Sequence, residues 1–145
     1  VSKHPPKAFA ERHRARRRAL QALYQWQLNH GSAASIVAQF EEEQDMSIAD
    51  GEYFRELVQG VIRELDTLDA ELSPLLDRAL EHVDQIERAT LRLATFELKH
   101  RIDVPCKVVL NEAVELAKDF GATGGQAYVN GVLDKLARKL RAAEM

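Results

Sequence analysis

The sequence predicts an all-α fold of about seven helices joined by short connections, one bundle in two halves. Three observations support this. Sustained alternation of apolar and polar residues, the mark of strands, is absent. Apolar residues recur instead at i, i+3, i+4 spacing along most of the chain. Glycine, proline and serine fall between these stretches, where helices stop and start.

Leu20, Leu23, Tyr24, Gln27 and Leu28 mark a first helix that begins near a run of arginines and ends around His30-Gly31. Gly31 suits the left-handed position after a helix, and Ser32 can cap the next one. Ile36, Val37 and Phe40 mark a short second helix ending in Glu41-Glu42-Glu43. Asp50 opens a long segment in which Phe54, Leu57, Val58, Val61, Ile62, Leu65, Leu68 and Leu72 keep one helical register. Ser73-Pro74 starts a short helix, since proline is tolerated in a first turn and not in an interior. From Val83 to about Arg101, Ile86, Ala89, Leu91, Leu93, Ala94, Phe96 and Leu98 surround the helix axis, which predicts a central, buried helix. Asp103-Val104-Pro105 marks the next start, and Val109, Ala113, Leu116, Ala117 and Phe120 form one stripe stopped at Gly121. Ala122-Thr123-Gly124-Gly125 leads into a last helix bearing Val129, Val132, Leu133, Leu136 and Leu140.

A chain of 145 residues is long enough to bury a real core in one domain. No stretch approaches the roughly 18 uncharged apolar residues of a membrane span. Val1-Ser2-Lys3-His4-Pro5-Pro6 lacks the apolar block of a secretory signal, and the single Cys106 excludes a disulfide framework within the chain. Together these point to the cytoplasm. The net charge of −3 is unevenly spread: residues 1–18 hold seven basic side chains against Glu11, a balance of +6 that leaves −9 on the remainder. A basic start on an acidic body suits a nucleic-acid contact in one place and a different partner in another.

Catalytic constellations are missing from the sequence. His4, His13, His30, His82 and His100 include no i, i+4 pair enclosing a glutamate, so the zinc-protease pattern is absent. Neither Gly-x-Ser-x-Gly nor a phosphate loop ending in Gly-Lys-Ser/Thr occurs. Gly121 to Gly125 has no preceding strand and no lysine, and reads as a helix stop followed by a turn. Cys106, near a helix start without a histidine placed beside it, reads as a small packing residue. No catalytic residue, cofactor or metal site is expected.

The sharpest local signal is Arg12-His13-Arg14-Ala15-Arg16-Arg17-Arg18. Arginine grips phosphate with a rigid fork of donors and stacks on bases, so a dense cluster suits RNA. On a helix these side chains surround the axis, and their mutual repulsion predicts an arm that orders on binding. The alternative is a solvated, frayed terminus that binds polyanions weakly. Tyr24 offers a stacking surface for an unpaired base or a core anchor, and Trp26 reads as core. Glu81, Asp84, Glu87, Arg88 and Arg92 line the entry to the central helix, a solvated face or the rim of a protein-partner surface.

Several stretches together resemble the NusB family of transcription antitermination factors, from about Arg12 to Arg141. They are Ala15-Arg16-Arg17-Arg18-Ala19-Leu20-Gln21-Ala22-Leu23-Tyr24-Gln25-Trp26-Gln27, Tyr53-Phe54-Arg55-Glu56-Leu57-Val58-Gln59-Gly60-Val61 and Glu87-Arg88-Ala89-Thr90-Leu91-Arg92-Leu93-Ala94. The most specific are Asp103-Val104-Pro105, Asn111-Glu112-Ala113-Val114-Glu115-Leu116-Ala117-Lys118, Phe120-Gly121 and Val129-Asn130-Gly131-Val132-Leu133-Asp134.

The resemblance implies two small antiparallel helical bundles packed together. It also implies an adaptor without catalysis, which recognises boxA RNA of ribosomal leader transcripts with the ribosomal protein NusE. The pair would join an antitermination complex on RNA polymerase. Carried over by position, the RNA-binding residues are Arg12, Arg14, Arg16, Arg17, Arg18, Tyr24, Arg92 and Phe120. Glu81, Glu87 and Arg88 fall on the surface facing NusE. Residues 1–11, with Pro5-Pro6, precede the match and read as a flexible extension to a domain spanning 12–145. Gly124-Gly125 leaves the turn after the sixth helix without side chains, and His13 adds a titratable group within the arginine run. Two other roles fit the resemblance. One is the NusB-like start of a ribosomal RNA methyltransferase, which requires a Gly-rich strand–turn–helix unit that this sequence lacks. The other is self-association over the surface that RNA uses.

Overall fold

The computed structural model describes residues 7–145, and every regular element within them is helical. The elements are α1 (Lys7–Asn29), α2 (Ala33–Glu43), α3 (Gly51–Arg63), α4 (Leu65–Leu72), α5 (Gln85–His100), α6 (Cys106–Phe120) and α7 (Gly125–Leu140). One-turn 3-10 segments occupy Ser73–Leu75, Leu80–His82 and Ala142–Glu144. Of the extension expected over 1–11, residues 1–6 lie outside the described residues, whereas Lys7 to Glu11 already form the first turns of α1. Among the described residues no helix is long and apolar enough to cross a membrane. The chain divides into two compact units, Val1–Ile62 and Arg63–Met145.

In the first unit, α1 buries Ala15, Arg16, Ala19, Leu20, Ala22, Leu23 and Gln27 along one face. It ends where His30 and Gly31 both take positive φ, 58° and 106°, with the His30 N–H bonded to the Trp26 carbonyl. Trp26 is not a core residue. It is half-buried, donates its indole N–H to the Gly31 carbonyl at 2.9 Å and meets the His30 ring edge-on, so it fastens the helix end. Ser32 caps α2 through the Ser35 N–H, and Asp50 caps α3 through the Tyr53 N–H at 3.0 Å. Phe40 of α2 and Phe54 of α3 stack at 6.0 Å. The Asp50 N–H donates to the Glu11 carbonyl at 3.0 Å, which ties the α2–α3 connection to α1.

The second unit is built round α5, in which every residue from Ala89 to Leu98 is buried. Its core gathers Leu91, Ala94 and Leu98 with Val109, Ala113 and Ala117 of α6 and Val129, Leu133 and Leu136 of α7. Two threonines tolerate this because their hydroxyls bond back into the helix, Thr90 to the Ile86 carbonyl and Thr95 to that of Leu91. The apolar register from Phe54 to Leu72 is not one helix. It breaks at Glu64, and α4 starts afresh at Leu65. At the other end, the Arg141 guanidinium donates to the carbonyls of Leu98 (2.8 Å), Arg101 (2.9 Å) and Val104 (3.1 Å), closing the C-terminus of α5.

Candidate nucleic-acid interface

The arginine run is a helix rather than an arm, because its sequence continues the apolar register of α1. Arg16 lies at i−4 from Leu20 and i−7 from Leu23, so it points where they point. It is 2% exposed and is the largest of the fully buried side chains. Its guanidinium carbon sits 5.5 Å from the centre of the Tyr53 ring, and that of Arg12 sits 4.6 Å from the same ring. Arg16 is expected from the sequence as a phosphate contact, and the structure places it inside the first unit with its guanidinium against a ring face.

Arg14, Arg17 and Arg18 keep the other face. Arg14 is exposed, with Nη1 donating to the Ile48 carbonyl at 3.2 Å, and Arg17 and Arg18 are half-buried. The Arg18 Nε is shielded and has no hydrogen-bond partner among the described residues. Arg12 stands 4.0 Å from the Asp50 carboxylate. Asp45 is held below the usual carboxylate range, first by the Ser47 hydroxyl and the Ser47 N–H, with the Arg18 charge adding to it. The α2–α3 connection thus sets two carboxylates along an arginine-bearing helix.

Farther along the same face α1 carries Gln21, Tyr24, Gln25 and Leu28. With Phe40 and Gln44 of α2 they line a groove of about 320 Å³. Sequence reasoning singled out Tyr24 but none of these glutamines. Their signal was the i+4 step from Arg17 to Gln21 to Gln25.

The other expected residues belong to the second unit. Arg92, 8% exposed, makes a bidentate pair with Asp69, both contacts 2.9 Å. Its guanidinium is spent on that carboxylate, and a phosphate would have to displace it. Arg88 Nη2 donates to the carbonyls of Glu81 (2.9 Å) and Val83 (3.1 Å), bracing the segment before α5. Burial, and then the Arg92 charge, push the Arg88 pKa down. Asp69, Glu81, Arg88 and Arg92 share the wall of one groove, and Glu81 is exposed there.

Glu87 turns inward. A Cβ on Gly125 would lie 3.2 Å from its carboxylate, and burial followed by the neighbouring Asp84 charge raises its pKa. The Gly124-Gly125 pair therefore serves conformation: Gly124 has φ 86°, and Gly125 makes room for Glu87. Phe120 is half-buried at the end of α6. After it, a Cβ on Gly121 would meet the Ala117 carbonyl oxygen at 2.6 Å. Cys106 is buried, and that burial pushes its thiol pKa up.

Fold and face together define an all-helical protein of two units with a cationic first helix. Residues 13–138 match the model of the NusB family. The chain is 55% identical over 135 residues to a protein of Psychromonas ingrahamii, covering 93% of each chain. It is 55% identical over 139 residues to one of Alcanivorax borkumensis, covering 96% of this chain and 93% of that one. Both relatives bear the name transcription antitermination protein NusB. A solved structure of T. maritima NusB superposes with a TM-score of 0.79 at 30% identity, covering 95% of this chain and 94% of that one. The chain belongs to the NusB family.

Proposed function

We propose that this chain is a transcription antitermination adaptor, without catalysis, that binds single-stranded boxA-type RNA through the exposed face of α1. Arg14, Arg17 and Arg18 supply the phosphate contacts, with Arg12 at the edge, and Tyr24 offers a ring to a base. The observation that carries this reading is the sorting of the arginine run: Arg16 is buried, while Arg14, Arg17 and Arg18 remain on the side that leads to Tyr24.

Arginines contribute a salt-dependent, sequence-independent term, and base contacts contribute specificity. The ribosomal protein NusE is proposed as the partner that completes the RNA site, and the pair as a component of an antitermination complex on RNA polymerase. The second unit's edge at Glu81, Glu87 and Arg88 is assigned to NusE. Of the two acids there, the exposed Glu81 is the better placed to meet a basic partner. Arg92 and Phe120 act in this reading as supports of their surroundings rather than as phosphate ligands.

The experiment is a salt titration of RNA binding for wild type and Arg17→Ala/Arg18→Ala. Each lost phosphate contact on single-stranded RNA should flatten the log–log slope by about 0.7. An unchanged slope would show that α1 does not hold phosphate.

A further inference from the structure

The groove that the Tyr24 ring lines beyond Arg18 also holds three amides to which the RNA-binding reading gives no role. We propose that this groove takes one unpaired nucleobase of the strand whose phosphates the arginines hold. Tyr24 is its stacking platform, and the amides of Gln21, Gln25 and Gln44 read its edge. This rests on the RNA-binding reading of α1, in which Tyr24 already meets a base, and goes beyond it by naming the groups that read that base's edge.

The lining decides the class of ligand. It holds a phenol ring, the apolar side chains of Leu28 and Phe40, and three primary amides, with no formal charge. A phosphate or a charged peptide side chain would find no counter-charge there. A base needs a flat surface and a donor beside an acceptor, and a glutamine amide presents both in one plane. Unpaired bases in RNA are commonly held by stacking on aromatic rings with hydrogen bonds to their edges.

Position and orientation agree. Arg17 and Arg18 lie three and four residues after Arg14, Gln21 lies four and three after them, and Gln25 four after Gln21, so they form one stripe. At 1.5 Å per residue Gln25 lies about 10 Å along the axis from Arg18, within reach of neighbouring nucleotides of one strand. Gln25 Nε2 donates to Gln39 Oε1 at 3.2 Å, and Gln39 Nε2 donates to Glu43 Oε2 at 3.3 Å. This chain anchors the Gln25 amide with its nitrogen towards α2.

The test is an abasic scan. A boxA-type RNA oligomer with one nucleotide at a time made abasic is titrated against the full chain together with NusE. Wild type should lose about tenfold in affinity at one position, a typical stacking contribution. Gln21→Met/Gln25→Met keeps side-chain size and helix propensity, and should lose most of that position-specific penalty while keeping the wild-type salt slope and melting temperature. Tyr24→Leu should do the same through stacking. Arg17→Ala/Arg18→Ala should show the reverse, a flatter slope with the penalty retained. A penalty unchanged in the glutamine variant, or absent at every position, overturns the groove proposal. So does a glutamine variant that loses NusE while keeping the penalty, since the groove would then be a protein site. A slope unaffected by the arginine substitutions overturns instead the reading on which the proposal rests.

Discussion

The Arg16 guanidinium lies against the Tyr53 ring, 5.5 Å from its centre, inside the first unit and away from solvent. That relationship divides the arginine run by function. Truncating a large buried side chain to alanine typically costs about 2–5 kcal/mol, so Arg16→Ala should destabilise the protein by that order. Arg16→Lys should not restore it, because an ammonium lacks the planar face. Arg14→Ala should stay within about 0.5 kcal/mol of wild type. Urea denaturation reads all three. Equal midpoints for Arg16→Ala and wild type would mean that the buried arginine contributes nothing to the fold.

Asp50 has two oxygens with two tasks: Oδ1 caps α3 through the Tyr53 N–H, and Oδ2 faces Arg12 at 4.0 Å. Asparagine caps as well as aspartate. Asp50→Asn should therefore leave stability nearly unchanged while removing a carboxylate that, in the proposed RNA-binding reading, competes with phosphate for Arg12. RNA affinity at low salt should rise about two- to threefold, the scale of a surface ion pair. Weaker binding by the variant would contradict this.

Glu71 of α4 pairs with Lys99 of α5 at 3.1 Å and with Lys139 of α7 at 3.2 Å, linking three helices of the second unit. The hydrogen bond from Lys99, then the paired Lys139 ammonium, holds its carboxyl below the ordinary value. A pKa depressed in the folded state gives stability that is complete above the unfolded value of about 4.3 and is lost as pH falls through the folded one. Glu71→Gln should therefore lower the urea midpoint at pH 7 and narrow its gap to wild type in acid. A gap constant with pH would rule out the ion pairs as its cause.

Arg141 is buried, donating to the Leu98, Arg101 and Val104 carbonyls and to Glu144 Oε2 at 2.6 Å. Arg141→Ala would strand several carbonyls, and a loss of about 3 kcal/mol or more is expected. Amide exchange at the α5–α6 connection should quicken. Protection there equal to wild type would mean that water replaces the guanidinium without cost.

Helices were legible because each buried face repeats with the helical period. Ser32, Asp50 and Pro105 announced their helix starts by chemistry that acts within one turn. The break at Glu64 left no such mark, since the apolar register runs on from Val61 to Leu65 and Leu68. The burial of Arg16 was not read from the sequence, because its charge stood out more than its register. Its step of four to Leu20 carried the answer. The Arg92–Asp69 pair spans 23 residues and the Lys99–Glu71 pair 28, separations at which no local pattern reports a partner. The groove glutamines were overlooked because neutral amides stand out neither in charge nor in hydropathy.

The central claim is that α1 forms half of a composite RNA site completed by NusE. Titrating a boxA-type RNA with the chain alone and with NusE present tests it most directly. Sharing one strand between two surfaces predicts weak binding alone and an affinity at least about tenfold higher with NusE. Equal affinities in the two titrations would contradict the account.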